Sequence, residues 1–99
     1  MKQRQKLNRE GAEHLAIQAL TFIAEDPDQL GRFLAMTGID PDSLRAAAAE
    51  PGFLAGVLEY VLGNEADLLA FAERAGLPPA EVGRARELLA GPGWERDIP

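Results

Sequence analysis

Apolar residues recur at helical spacing along most of this chain, and two stretches are apolar around nearly their whole circumference. They cover residues 9–25 and 51–62. A helix that is apolar on nearly every side is typical of a buried position. We therefore expect the helices containing Leu20 and Leu58 to pack against each other at the centre of the fold. Their apolar residues are Leu15, Ile17, Leu20, Phe22 and Ile23, and Phe53, Leu54, Val57, Leu58, Tyr60, Val61 and Leu62.

Two further segments carry a narrower apolar stripe at positions i, i+3, i+4 and i+7, which predicts outer helices with one buried face. Each stripe is followed by a glycine, Gly38 or Gly76, and then by an apolar residue. That order is typical of a left-handed helix cap, so we expect a positive φ at both glycines. The stripes are Leu30, Phe33, Leu34 and Thr37, and Leu68, Phe71, Ala72 and Ala75.

A third helix in each half is predicted to begin at a proline, Pro41 or Pro79, because proline suits the first helical turn. Gly91, Pro92 and Gly93 end the second of these helices. The expected buried faces are Leu44, Ala47 and Ala48 in one, and Val82, Ala85, Leu88 and Leu89 in the other.

Short polar residues precede the predicted helices. Asn8 is expected to cap the first helix. Asp-Pro-Asp occurs twice, starting at Asp26 and at Asp40. The paired carboxylates suggest a metal site, but a calcium loop needs further ligands and a glycine at set spacing, and none follow. We therefore expect both aspartates to cap helices, with Gln29 as the capping-box partner of Asp26.

The sequence overlies itself when it is shifted by 38 residues. A repeat of this length indicates helical units that bury their apolar faces against each other. With copies at about residues 15–47 and 53–85, we predict an all-α fold, a compact bundle of about six helices built from two similar three-helix units. The identical pairs are Leu20 and Leu58, Leu30 and Leu68, Phe33 and Phe71, Gly38 and Gly76, Pro41 and Pro79, and Ala47 and Ala85.

A chain of 99 residues, 46% of them apolar, fits one domain. We expect a basic flexible arm over residues 1–8, a single helical domain over 9–91 and a tail over 92–99. The longest uncharged stretch of the first helix, residues 14–24, is much shorter than the ~20 residues that cross a membrane. Acidic residues also interrupt what would otherwise resemble a secretory signal. We therefore expect a cytoplasmic protein.

The charge of the chain is uneven. The formal net charge is −6, but four basic residues precede the first acidic one, Glu10. Six basic and sixteen acidic residues remain in 10–99, which therefore carry −10. Such a body repels nucleic acid, although the basic arm can still contact it. The four basic residues are Lys2, Arg4, Lys6 and Arg9.

Groups suited to catalysis are scarce. The sequence has no cysteine, one histidine, His14, and one serine, Ser43. A serine hydrolase needs these groups adjacent with an orienting carboxylate, and no nucleophile-elbow glycines flank Ser43. One histidine with scattered acids also makes a poor metal site. We expect no enzymatic activity, no cofactor and no metal.

The spacing of Ala72, Gly76 and Val82 matches a DNA-binding helix-turn-helix, in which small residues let two helices cross closely. Leu34, Gly38 and Leu44 keep the same spacing. The helices that would read DNA lack a basic face, because the second carries Arg84 and Arg86 beside Glu81 and Glu87. The spacing therefore favours helix packing over nucleic-acid binding.

Trp94 lies in the tail, where it either folds back onto the core or serves as an anchor for a partner. Folding back is the favoured interpretation. The leading functional hypothesis is a non-enzymatic module that binds an unidentified protein partner. The alternative is a degenerate helix-turn-helix protein that binds nucleic acid. The residues for contact with a partner or nucleic acid are Lys2, Arg4, Lys6, Arg9, Arg84, Arg86 and Trp94.

Several local motifs are informative when they are taken together. They are Phe22-Ile23-Ala24 with Asp26-Pro27, Arg32-Phe33-Leu34-Ala35 with Thr37-Gly38-Ile39 and Pro41, Leu44-Arg45, Phe53-Leu54, and Val57-Leu58. These motifs resemble a family of short, mainly alphaproteobacterial proteins, the domain of unknown function number 3572. The resemblance covers about residues 15–91 and implies a small cytoplasmic bacterial protein, with no catalytic residues to carry over.

Overall fold

A computed structural model describes residues 7–90, and within that range it contains six α-helices and no strand. The predicted all-α fold of about six helices is confirmed. A 3₁₀ turn over Pro41–Ser43 leads into the shortest helix. The helices are α1 (Arg9–Ala24), α2 (Pro27–Thr37), α3 (Leu44–Ala47), α4 (Pro51–Leu62), α5 (Glu65–Ala75) and α6 (Pro79–Ala90).

Side chains of short polar residues cap three of the helices. The Asn8 side chain accepts a hydrogen bond from the Gly11 amide at 2.7 Å, and the Asp26 side chain accepts one from the Asp28 amide at 3.0 Å. Both predicted caps are confirmed. Asn64 caps α5 in the same way. Each cap satisfies an amide that the first helical turn leaves unpaired.

The predicted cap at Asp40 is wrong, because its side chain makes no capping hydrogen bond. Its carbonyl instead accepts from the Ser43 amide at 2.8 Å, which closes the 3₁₀ turn. The short helix α3 follows, and none of its residues is fully buried. The predicted face of Leu44, Ala47 and Ala48 does point inward, because these three residues are half-buried and Leu44 packs against the core.

Gly38 and Gly76 both have φ of 73°, which confirms the two predicted left-handed caps. The Gly38 amide donates to the Leu34 carbonyl at 2.8 Å, and the Leu77 amide donates to the Ala72 carbonyl at 3.0 Å. Glycine suits these positions because a Cβ atom disfavours positive φ.

Three helices, α1, α4 and α6, form the centre of the fold and pack extensively on one another. Helices α1 and α4 pack against each other as predicted, but they do not form the centre alone, since α6 buries Val82, Ala85 and Leu89 against them. Leu58 is fully buried, whereas Leu20 is only partly buried.

Helix α1 buries one face rather than its whole circumference, and Ile17 is 40% exposed. The expectation that α1 is buried on nearly every side is therefore wrong. Three of the five buried residues are alanines, whose small side chains allow a neighbouring helix to come close. The buried face consists of Ala12, Leu15, Ala16, Ala19 and Ile23.

Three aromatic contacts attach the outer helices α2 and α5 to the centre. Phe33 of α2 packs edge-on against Tyr60 of α4, with ring centroids 5.4 Å apart, and also against Phe53 at 5.8 Å. Phe71 of α5 packs against Phe22 of α1 at 5.6 Å. Phe71 lies 38 positions after Phe33, and Phe22 lies 38 positions before Tyr60. The Phe71–Phe22 contact therefore corresponds to the Phe33–Tyr60 contact with the two halves of the chain exchanged, which makes these pairs reciprocal. Reciprocal pairs are the pattern expected of two copies facing each other, and the internal repeat itself stays a prediction.

Candidate functional site

An open groove of about 560 Å³ lies where α2 faces the junction between α4 and α5. Only Gly63 and Asn64 separate α4 from α5, so the end of one helix and the start of the next lie side by side. We call this feature the Tyr60 groove. Its lining residues are Arg32, Ala35, Met36, Glu59, Tyr60, Gly63, Asn64 and Asp67.

Tyr60 is held in the groove by the core beneath it. Its ring rests edge-on against Phe33, which is fully buried, so the ring has a rigid support. At the polar end of the ring, interaction with the Tyr60 hydroxyl raises the pKa of Arg32, and attraction to Asp67 and Asp26 adds to the effect. The phenol and the guanidinium are therefore close neighbours in the groove.

Met36 lines the same groove and is 70% exposed, the largest exposure among the large apolar side chains of residues 7–90. Its position on α2 explains this, because Met36 lies outside the apolar stripe that turns Phe33 toward the core. Methionine is flexible and polarisable, which suits it to surfaces that receive varied apolar groups.

The charges of the Tyr60 groove are only partly neutralised. Glu59 forms an ion pair with Arg86 of α6, with 3.2 Å between the charged atoms. Arg32 and Asp67 have no oppositely charged side chain within ion-pair distance among the described residues. The groove therefore presents one available cation and one available carboxylate.

Gln29 connects the groove wall to the interior. It is 8% exposed, and its side-chain amide donates to Asp67 Oδ1 at 3.1 Å. Its Oε1 atom is buried and has no hydrogen-bond partner within residues 7–90. The predicted capping-box contact with Asp26 is wrong, because the side chain turns toward α5 instead.

A second groove of about 300 Å³ lies between α1 and α5, and we call it the Phe22 groove. The Arg74 guanidinium covers it, 5.9 Å from the centre of the Phe22 ring. The same guanidinium donates to Glu25 Oε2 at 2.7 Å, which holds it in place. The lining residues are Ile17, Gln18, Thr21, Phe22, Phe71, Arg74 and Ala75.

The two grooves occupy corresponding positions in the sequence. A shift of 38 residues takes Phe22 to Tyr60 and Met36 to Arg74. The same shift takes Glu25, the partner of Arg74, to Gly63, which has no side chain. The Tyr60 groove therefore lacks both members of the ion pair that covers the Phe22 groove.

A family model described as "Protein of unknown function (DUF3572)" matches residues 9–92, most of the chain and all the residues that line both grooves. The chain belongs to this family. No curated protein and no solved structure matches the chain significantly. Membership in the DUF3572 family carries no activity over to the chain, so the function has to be argued from the groove residues.

Within residues 7–90, the basic residues singled out in the sequence do not come together in one site. Arg9 is exposed at the start of α1. Arg84 lies 3.7 Å from Glu81, and Arg86 pairs with Glu59, so each of these two has a carboxylate beside it. Four other candidates lie outside the described residues. They are Lys2, Arg4, Lys6 and Trp94.

The residues considered for catalysis lie on separate elements. His14 is exposed on α1, and Ser43 is exposed in the 3₁₀ turn, with no hydrogen bond between them. Across the described residues, no three metal-binding side chains form a group that could hold an ion. Nor does any helix within 7–90 have the length and apolar character to cross a membrane.

No motif in the sequence predicts the Tyr60 groove. One signal was available, because Met36 is an apolar residue outside the stripe of its own helix, which predicts exposure. The closeness of Arg32, Tyr60 and Asp67 had no such signal, since these residues come from three different helices.

Proposed function

We propose that this protein is a non-enzymatic interaction module that binds a short segment of a partner protein in the Tyr60 groove. The observation that carries the proposal is the exposed Met36 beside Tyr60 and Arg32 in an open groove. Tyrosine and arginine are among the residue types that contribute most to binding at protein interfaces, and methionine is common on surfaces that bind varied partners.

The groove suits a segment with an aromatic or large aliphatic side chain flanked by charged residues. The apolar side chain would pack between Met36 and the Tyr60 ring. A carboxylate of the segment would pair with Arg32, and a basic side chain would pair with Asp67. Charges on both sides of an apolar anchor fix the direction in which a segment binds. They also disfavour segments whose charges do not match those of the groove.

The wider surface is consistent with a protein partner in the cytoplasm. The net charge of −10 over residues 10–99 opposes binding to nucleic acid or to an anionic membrane. The separation of His14 from Ser43 supports a non-enzymatic role.

The second candidate is nucleic-acid binding by a degenerate helix-turn-helix. The left-handed turn at Gly76 and the burial of Ala72 and Val82 favour it, since they join α5 and α6 closely. The carboxylates beside Arg84 and Arg86 argue against nucleic-acid binding, because each carboxylate partly neutralises the arginine that would contact a phosphate.

Site-specific crosslinking in cells tests the proposal. A photoreactive amino acid at position 36 should capture a discrete protein, whereas one at position 69 should not. Leu69 is a matched control because it is also apolar and 50% exposed but does not line the Tyr60 groove.

The captured protein should then be purified and its affinity measured. Met36→Glu should weaken binding by about tenfold or more, equivalent to about 1.4 kcal/mol, and Leu69→Glu should leave it unchanged. Equal affinities for the two variants would show that the partner does not use the groove.

A further inference from the structure

We propose that residues 91–99 of this chain occupy the Tyr60 groove when no partner is bound, with Trp94 between Met36 and the Tyr60 ring. The proposal rests on the proposed function for the location of the binding site. It adds an intramolecular occupant that a partner segment would have to displace.

Helix α6 contacts a residue of the Tyr60 groove. Arg86 pairs with Glu59, which lines the groove, and Ala90 lies one helical turn, or about 6 Å, beyond Arg86. Four more residues lead to Trp94, and they span at most about 14 Å when extended. The length of chain between the groove contact at Arg86 and the indole therefore permits Trp94 to reach the groove.

The chemistry of the segment complements the groove. Trp94 supplies a large apolar ring, and Glu95 and Arg96 follow it directly. A carboxylate next to a guanidinium matches Arg32 and Asp67, the two groove charges with no opposite charge within ion-pair distance among the described residues. Edge-on or offset packing of the indole on Tyr60 adds a favourable aromatic contact.

The Phe22 groove is a poorer destination for Trp94. Arg74 already covers the Phe22 ring and is held there by Glu25. The corresponding position over Tyr60 carries Met36, and Gly63 replaces the anchoring carboxylate. An indole entering the Phe22 groove would have to displace an ion pair, whereas the Tyr60 groove is open.

Fluorescence of the full chain tests this inference, because Trp94 is the only tryptophan and Tyr60 the only tyrosine. In the wild-type protein, Trp94 should emit at shorter wavelength than a free tryptophan. It should resist a soluble quencher several-fold better, and it should receive excitation energy from Tyr60. Met36→Glu should remove the protection against quenching and shift the emission to that of exposed tryptophan.

Two matched variants locate the indole. Leu69→Glu adds the same charge outside the groove and should leave the emission unchanged, and Ile17→Glu should do the same at the rim of the Phe22 groove. Far-ultraviolet circular dichroism checks that each variant stays helical. Protection that is lost in Ile17→Glu but kept in Met36→Glu would overturn the inference, as would wild-type quenching equal to that of free tryptophan.

The inference and the proposed function can fail separately. If Trp94 is exposed but a purified partner still requires Met36, the tail inference is overturned and the groove keeps its proposed role. If Trp94 occupies the groove, the addition of a partner segment should release it and increase its quenching. Protected Trp94 with no partner that requires Met36 would support the tail inference and overturn the proposed function.

Discussion

Around Phe22, the outer helix α5 lies against α1 and Arg74 covers the groove between them, whereas around Tyr60 the corresponding surface is open. The aromatic contacts beneath the grooves are similar, since Phe71 packs on Phe22 and Phe33 packs on Tyr60 at nearly equal distances. The difference lies at the surface, where Met36 and Gly63 stand in place of Arg74 and Glu25. Similar cores can therefore support surfaces of different shape and charge.

The third elements of the two halves differ even more. Helix α6 has 12 residues and buries Val82, Ala85 and Leu89, whereas α3 has four residues and buries none. Pro51 limits how far α3 can extend. The residue before a proline is restricted to extended conformations, and Glu50 has φ −98° and ψ 126°, so the chain leaves the helical conformation there.

The contrast in burial between the halves predicts the largest effect on stability. Leu58→Ala should lower the free energy of unfolding by about 2–5 kcal/mol, because the side chain is fully buried in the three-helix centre. Leu20→Ala, at the matching position of α1, should cost clearly less because Leu20 is only partly buried. Denaturant titration of both variants measures the difference, and equal costs would mean that the two halves are packed alike.

The two glycine caps should behave alike although the halves differ. Gly38→Ala and Gly76→Ala should each cost about 1 kcal/mol, since an L residue is disfavoured at positive φ. An added Cβ meets no atom within 4 Å at either glycine, so no steric clash adds to the cost. Thermal unfolding compares them, with Gly31→Ala as a control in the exposed interior of α2. A stabilised Gly38→Ala or Gly76→Ala variant would contradict the backbone explanation.

The ion pair over the Phe22 groove should contribute little to stability. A double-mutant cycle with Arg74→Ala and Glu25→Ala should give a coupling energy below about 1 kcal/mol, because both side chains are about half exposed. The Arg74→Ala variant should nevertheless open the Phe22 groove and make it resemble the Tyr60 groove. A coupling energy of several kcal/mol would instead indicate that this ion pair contributes substantially to the packing of α5 against α1.

The smallest expected effect concerns duplex DNA. We predict no appreciable binding at ~150 mM salt, because the acidic body opposes contact with phosphates. Fluorescence anisotropy measures it. Sub-micromolar binding that an Arg84→Ala, Arg86→Ala double variant abolishes would instead favour the helix-turn-helix alternative. Weak binding that disappears when residues 1–9 are removed would assign the contact to the basic arm.

Local features of the fold were the ones that the sequence could predict. The caps at Asn8 and Asp26, the stops at Gly38 and Gly76 and the start of α4 at Pro51 all depend on a few neighbouring residues. The cap at Asp40 failed because a 3₁₀ turn satisfied the amides through the backbone alone. Gln29 was misassigned because a residue 38 positions away offered its side chain a partner inside the fold.

Local sequence signals specify which segments are helical and where most of them begin and end, because capping, proline geometry and positive φ act between near neighbours. The choice of central helices was decided by tertiary structure. Helix α1 has apolar residues on several faces, and only packing against α4 and α6 selects the one that is buried. That α6 joins the centre is likewise a result of how the helices assemble. The Tyr60 groove was decided in the same way, since Arg32, Tyr60 and Asp67 become neighbours only when α2, α4 and α5 are assembled.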